Sequence, residues 1–238
     1  MIPSISAEQE RAGAVRWLSR TMPILAGPSL GEIAMFGRGH QDDFLGDLLR
    51  DEYAVATAGG ASTVALVDGE HGGVVRCTAD TTDTNFGALI LGSAAGTFDS
   101  LDTDNGWVVF WRMRANQLTN IQAVAGVYEW ATPGLTYAGF RSDISAANWM
   151  IRSSINGIAF TNLDTGVAAD TDWHWHSLAA YDVDGTTTVG YWVDGVLLGE
   201  ITTNISGNPM EATLFCVNRG GSVAVKTNDF DYLAVKPR

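Results

Sequence analysis

Residues 173–200 read WHWHSLAAYDVDGTTTVGYWVDGVLLGE, with two Asp-Gly pairs, Asp184-Gly185 and Asp194-Gly195, flanked by apolar and β-branched residues. Asp and Gly both tolerate the positive φ that primed two-residue turns require. The stretch therefore predicts consecutive antiparallel hairpins. Working outward, short apolar runs separated by turn residues recur from Gln41 to the end, the spacing of a two-sheet sandwich. Strands are expected near 42–49, 53–57, 62–67, 73–79, 86–92, 106–114, 121–128, 136–141, 148–153, 157–161, 174–182, 186–193, 196–201, 212–217 and 229–236. The run WVVFWRMR at 107–114 has bulky residues on both faces at first and then alternates. That is the pattern of an inner strand covered on both sides.

Residues 1–40 have another texture. Ser6 with Gln9 three positions on resembles a capping box ahead of Val15, Leu18 and Met22 at helical spacing, which predicts a short helix over 7–20. Pro23, Gly27, Pro28, Gly31, Gly37 and Gly39 then break any regular element, so 21–40 reads as an extended arm. Two units are thus expected: 1–40, a helix and arm, and 41–238, a β domain. The arm's apolar residues, among them Trp17, Leu18, Ile24, Leu25 and Phe36, need a surface to cover, on their own domain or on a neighbouring subunit.

Composition bounds the function. The chain has 238 residues, 46% of them hydrophobic, enough for one large core. Its 27 acidic and 14 basic residues give a formal charge of −13, which excludes a general nucleic-acid binder, since phosphate affinity rests on clustered Lys and Arg. No run of 18 apolar residues occurs, so no membrane helix is expected. The first 17 residues meet charge where a secretory signal needs an apolar stretch, so use without Sec export is expected. Cys77 and Cys216 are read as buried, reduced thiols.

The order of elements resembles the concanavalin A-like lectin/glucanase jelly roll, in particular its laminin-G-like branch. Three pieces carry the resemblance: Asp42-Asp43-Phe44 as a first strand, Trp173 to Ala180 with Val189 to Val196 as the pair ending in a V-D-G hairpin, and Asn228 to Val235 as the closing strand. It implies an all-β, two-sheet antiparallel jelly-roll sandwich, with first and last strands near each other. DDFLGDLLRDEY followed by the Gly-rich VATAGGAS also resembles structural proteins of tailed bacteriophages. That second resemblance implies a virion protein, assembled in the host cytoplasm, decorating a capsid. Its partners would be the major capsid protein and its own copies, a trimer suiting a capsid's local symmetry. The arm residues Trp17, Leu18, Ile24, Leu25 and Phe36 would hold the neighbours.

Candidate chemistry is sparse. Glucanases of the resembled superfamily carry two catalytic Glu on one strand, but the eight Glu here include no pair four or five apart. No nucleophile elbow, phosphate loop or Rossmann glycine pattern occurs. A protein without catalytic residues, not an enzyme, is therefore expected. Asp99, Asp102 and Asp104 concentrate carboxylates in one turn and are the calcium candidates, although the spacing is not that of an EF-hand; otherwise no cofactor is expected. Asp80, Asp83 and Asn85 form a weaker cluster of the same kind. His174 and His176 lie two apart on a strand, so a solvent-facing His pair opposite a buried pair, Trp173 and Trp175, is expected. Trp130 and Trp149, nearer loops, are the candidates for stacking on the sugar rings of a surface glycan. A lectin-like binding module is the alternative to the virion reading.

Overall fold

The computed structural model describes residues 40–44, 49, 52–67, 73–92, 101, 106–118, 121–129, 137–142, 148–155, 157, 159–208, 210–219 and 224–237. The expected helix at 7–20 and the arm up to residue 39 lie outside them, while His40 belongs to the first strand. Among the described residues the regular structure is entirely strand: β1 (His40–Asp42), β2 (Tyr53–Ala58), β3 (Thr63–Val67), β4 (Val74–Ala79), β5 (Phe86–Leu91), β6 (Trp107–Ala115), β7 (Ile121–Tyr128) and β8 (Tyr137–Ser142), then β9 (Asn148–Ile155), β10 (Ala159–Ala168), β11 (His174–Val183), β12 (Thr186–Val193), β13 (Val196–Ile201), β14 (Glu211–Asn218) and β15 (Lys226–Pro237). They form two antiparallel sheets. The first runs β13-β12-β11-β6-β15-β4-β3, with β1 pairing against β15; the second runs β10-β9-β8-β7-β14-β5-β2.

The two Asp-Gly turns fold as their sequence requires. Asp184 and Gly185 have φ of 51° and 77°, and Asp194 and Gly195 have 48° and 80°. Positive φ at both central residues gives the twist of paired strands, so β11, β12 and β13 follow as one meander. The first and last strands also meet: His40 pairs with Val235 and Asp42 with Leu233.

Period-two alternation builds the core between the sheets. On β6, Trp107, Val109, Trp111, Met113 and Ala115 point inward, joined by Leu178, Ala180, Val189, Tyr191, Phe230 and Leu233 of the first sheet and by Leu89, Ala125, Val127, Trp149, Ile151 and Leu214 of the second. The intervening Val108 and Phe110 are buried as well, in a separate cluster on the outer face of the first sheet, which accounts for the two-sided pattern of WVVF. A β-bulge between Phe230 and Tyr232 resets the alternation of β15. It keeps Phe230 and Leu233 inward while Asp229 and Tyr232 share the outer face. Gly87 marks a close approach of the sheets, since a Cβ there would lie 2.5 Å from the carbonyl oxygen of Thr63 and 2.6 Å from that of Thr78.

Asp229, fully buried, is the ionic centre of the outer face. Its carboxylate accepts hydrogen bonds from Arg76 Nε at 2.6 Å and Nη2 at 2.8 Å and from Arg114 Nη2 at 2.9 Å. The register sets this up, because Asp229 lies opposite Arg76 on β4 and Arg114 on β6. Beside it Arg112 pairs with Asp231, and its guanidinium carbon sits 5.1 Å from the Trp173 ring centroid and 5.9 Å from that of Trp175. Cys77 and Cys216 are buried free thiols, as expected.

Three readings are corrected. The His and Trp pairs are inverted: His176 is fully buried, stacked on Trp111 at 5.7 Å and edge-on to Trp149 at 5.2 Å, while Trp173 and Trp175 lie half-buried under the arginines of the outer face. The register of β11 against β6 places His176 opposite inward-facing Trp111, which decides the matter. Trp149 is 1% exposed, on the inward side of β9, so it has no face free for a sugar. Finally, β10 runs ten residues instead of five. Asp164-Thr-Gly, beyond the expected end of the strand, is absorbed as an irregularity within it, between Asp164 and Ala168.

The buried imidazole has a measurable consequence. Burial, reinforced by the neighbouring His174 charge, pushes His176 down to about 3, so it stays neutral in the folded protein while the unfolded chain takes up a proton near pH 6.5. A group whose folded pKa is depressed in this way loses stability as pH falls below the unfolded value. About 2 kcal/mol should be lost by pH 5 from this residue. A pH series of denaturant midpoints on His176→Leu, whatever its absolute stability, should be flatter than wild type between pH 6.5 and 5; an equal slope would show that His176 does not govern it.

Candidate functional site

The outer face of the second sheet lines up residues from distant parts of the chain, exposed at its β9–β10 end and buried at Thr213, Gly126, Tyr128 and Ser154. Inward-facing Trp149, Ile151, Ala125, Val127, Ala212 and Leu214 fix the opposite parity as outward. Three rows of paired positions then cross β14, β7, β8, β9 and β10. The first is Glu211, Tyr128, Tyr137, Ser154 and Phe160; the second is Thr213, Gly126, Gly139, Arg152 and Asn162; the third is Phe215, Val124, Arg141, Met150 and Asp164. The middle row has two adjacent glycines. Gly126 and Thr213 are buried, as are Tyr128 and Ser154, so the exposed part of these rows is their β9–β10 end.

The β9–β10 end of these rows is a ladder of planar groups. The Arg152 guanidinium carbon sits 4.8 Å from the centroid of the Phe160 ring, which is 53% exposed. Arg152 Nε donates to Asn162 Oδ1, and Asn148 Nδ2 donates to Asp164 Oδ1 at 2.9 Å. The backbone N–H of Gly166 and the Asn148 amide together hold the Asp164 carboxyl below the usual range, so it is an anion at neutral pH. At the other end Tyr128 meets Phe215 edge to face at 5.0 Å. An exposed aromatic ring beside fixed amide, guanidinium and carboxylate groups can stack on one ring face of a polyol and donate to and accept from its hydroxyls.

A second polar constellation lies at the start of β11. His174 Nδ1 is 2.6 Å from Asp194 Oδ2 and Nε2 is 2.9 Å from Asp170 Oδ1, and Asp194 Oδ1 also accepts the backbone N–H of Trp175 at 3.0 Å. Burial opposes protonation of His174, but the hydrogen bonds to Asp194 and Asp170 outweigh it and raise the pKa. This cluster fixes the Asp194-Gly195 turn against β11. Among the described residues no group of three or more His, Cys, Asp and Glu is placed to hold a metal ion. Asp80, of the weaker carboxylate cluster, is spent on its own turn, accepting from Thr82 N at 2.9 Å and Asn85 Nδ2 at 2.7 Å.

Of the residues singled out in the sequence, Asp99, Asp102, Asp104, Trp130, Trp17, Leu18, Ile24, Leu25 and Phe36 lie outside the described residues. Phe160, Arg152 and Asn162 were not foreseen. Their signal is the exposed alternation of Phe160, Asn162 and Asp164 along an edge strand, which a strand ended at 161 conceals.

No protein-family model matches the chain, and no curated protein matches it in sequence. Solved structures do. The endo-1,3-beta-glucanase from Streptomyces sioyaensis superposes with a TM-score of 0.61 at 12% identity, over 84% of this chain and 96% of that one. The Bacillus licheniformis beta-glucanase gives 0.58 at 14% identity, over 85% and 99%. The carbohydrate recognition domain of Emp47p gives 0.56 at 10% identity, over 84% and 94%. The fold is thus the concanavalin A-like jelly roll of lectins and glucanases. The expectation that the protein is not an enzyme is corrected accordingly: it rested on a missing Glu pair, whereas the scaffold is one that glycoside hydrolases share, and fold by itself assigns no activity.

Proposed function

We propose that this protein is a carbohydrate-binding jelly roll that takes a glycan chain across the outer face of its second sheet. The observation that carries the reading is the ladder of Phe160, Arg152, Asn162 and Asp164 exposed along β9 and β10. Support comes from the neighbours, a carbohydrate recognition domain and glucanases among them. In this reading Phe160 stacks on a sugar ring, and Arg152 and Asn162 hydrogen-bond hydroxyls.

The test is titration of the full chain with soluble β-1,3-1,4-glucan and β-1,3-glucan, and a glycan array run with and without chelator. Phe160→Ala and Arg152→Ala should each weaken binding about tenfold or more, the effect of losing one stacking or charged contact of ~1.4 kcal/mol or above. Wild-type affinity in both variants, with circular dichroism unchanged, would move the site elsewhere. Absence of any glycan ligand would end the reading. New reducing ends accumulating in the same mixtures would extend it from binding to hydrolysis.

The resemblance of residues 42–62 to tailed-bacteriophage structural proteins supports a second reading, in which this module sits on a virion surface among capsid subunits. Immunogold labelling of purified particles checks that setting.

A further inference from the structure

An apolar part of the outer face of the first sheet is closed to solvent. Val108, Phe110, Ala179, Tyr181, Trp192, Tyr232 and Ala234 all point away from the sandwich core, yet their exposures run only from 1% to 8%, with Trp175 and Val183 packed against them. An antiparallel sheet face turned to water is ordinarily polar and solvated. Three polar atoms on this face, Ser177 Oγ, Asp231 Oδ1 and Tyr232 Oη, are buried without a hydrogen-bond partner. Such atoms carry the full cost of their lost hydration unless something supplies their bonds. Burial, opposed by Arg112, raises the Asp231 carboxyl, and burial with the nearby Asp43 charge raises the Tyr232 hydroxyl.

The chain itself has a segment that fits. Residues 1–39 enter the fold at His40, where β1 pairs with Leu233 to Val235 of β15, alongside Tyr232 and Ala234. From β15 to β12 is three strand spacings, ~15 Å at ~4.8 Å each, a distance that about five extended residues span. Residues 1–39 also hold Trp17, Leu18, Ile24, Leu25, Leu30, Ile33, Met35 and Phe36, apolar groups without a core of their own. Their charge is complementary: four Arg against three Glu give the segment +1, while the remaining residues carry −14. An arginine is the donor that the Asp231 acceptor lacks.

We propose that residues 1–39 dock intramolecularly along the outer face of the first sheet, with Tyr232, Ala234, Phe110, Tyr181 and Trp192 as the receiving surface. The arm then covers its own domain, on the sheet opposite the glycan site. Its failure and that of the glycan reading are read by separate experiments.

The test uses the full chain with the photoreactive amino acid p-benzoylphenylalanine at Lys236, half-buried on the same face opposite Val108, and separately at Ala234. Equal amounts of ¹⁴N- and ¹⁵N-labelled protein are mixed, irradiated and mapped by mass spectrometry. The expected result is cross-links to residues 1–39 joining peptides of one isotope only. Cross-links joining the two isotopes at the statistical ratio would overturn the proposal in favour of arm exchange between copies. Cross-links that avoid residues 1–39 from both positions, or none, would overturn it outright.

Discussion

Asp229→Ala should be among the most damaging single changes in this domain, costing roughly 3 kcal/mol. Removing one partner of a buried ion pair typically costs ~3–5 kcal/mol, because the charges left behind have lost their counterion. The lower end applies here because the two guanidinium groups, with side chains 35% and 23% exposed for Arg76 and Arg114, can recover some water. Asp229→Asn should cost less, since the amide oxygen still accepts one of the hydrogen bonds. The pH dependence carries a distinct signature. Burial would raise the Asp229 pKa, but the hydrogen bonds and charges of Arg76 and Arg114 overcome it and hold the carboxyl below its ordinary value. Its contribution is therefore complete above the unfolded-state value near 3.9 and is lost as pH falls through the lower folded value. Denaturant midpoints measured from pH 5 to 2.5 should show Asp229→Ala converging on wild type at the acid end; a constant gap would refute the ion-pair account.

Gly87→Val should prevent the sandwich from closing. Even a single Cβ would press on the backbone oxygens of Thr63 and Thr78 at 2.5 and 2.6 Å, and these atoms belong to the paired strands β3 and β4, so no side-chain rotation can relieve the contact. The cost should exceed the ~1–3 kcal/mol of ordinary core overpacking. Gly60→Ala is the control: nothing lies within 4 Å of that Cβ, so its effect should stay within about 0.5 kcal/mol. Soluble yield and thermal midpoint compare the two. If Gly87→Val melts within a degree of wild type, the two sheets do not approach each other as closely here as described.

The architecture was legible because its signals are local. Asp-Gly pairs fix turns through backbone sterics alone, and WVVF announces a strand buried on both sides. The site was less legible because register decides it. Which side of β11 faces inward depends on pairing between His176 and Trp111, 65 positions away in the chain, and no local pattern contains that. Trp149 looked accessible because it stands at the very start of the expected strand, next to a loop, whereas the alternation of β9 turns the indole inward. Phe160 and Arg152 acquire meaning only once β9 and β10 are side by side.

The position of β15 sets the order in which the protein can be built. Residues 226–237 lie in the middle of the first sheet, bridging β6 on one side and β4 with β1 on the other. While a ribosome is still short of that segment, the β3–β4 hairpin has no neighbour on its β4 edge and the β6–β11–β12–β13 meander ends in an open one. Non-local pairing of this kind is slow, and open edges invite other chains. The nascent polypeptide thus passes through most of its synthesis as two unjoined halves, which β14 then bridges in the second sheet, between β7 and β5, and β15 in the first.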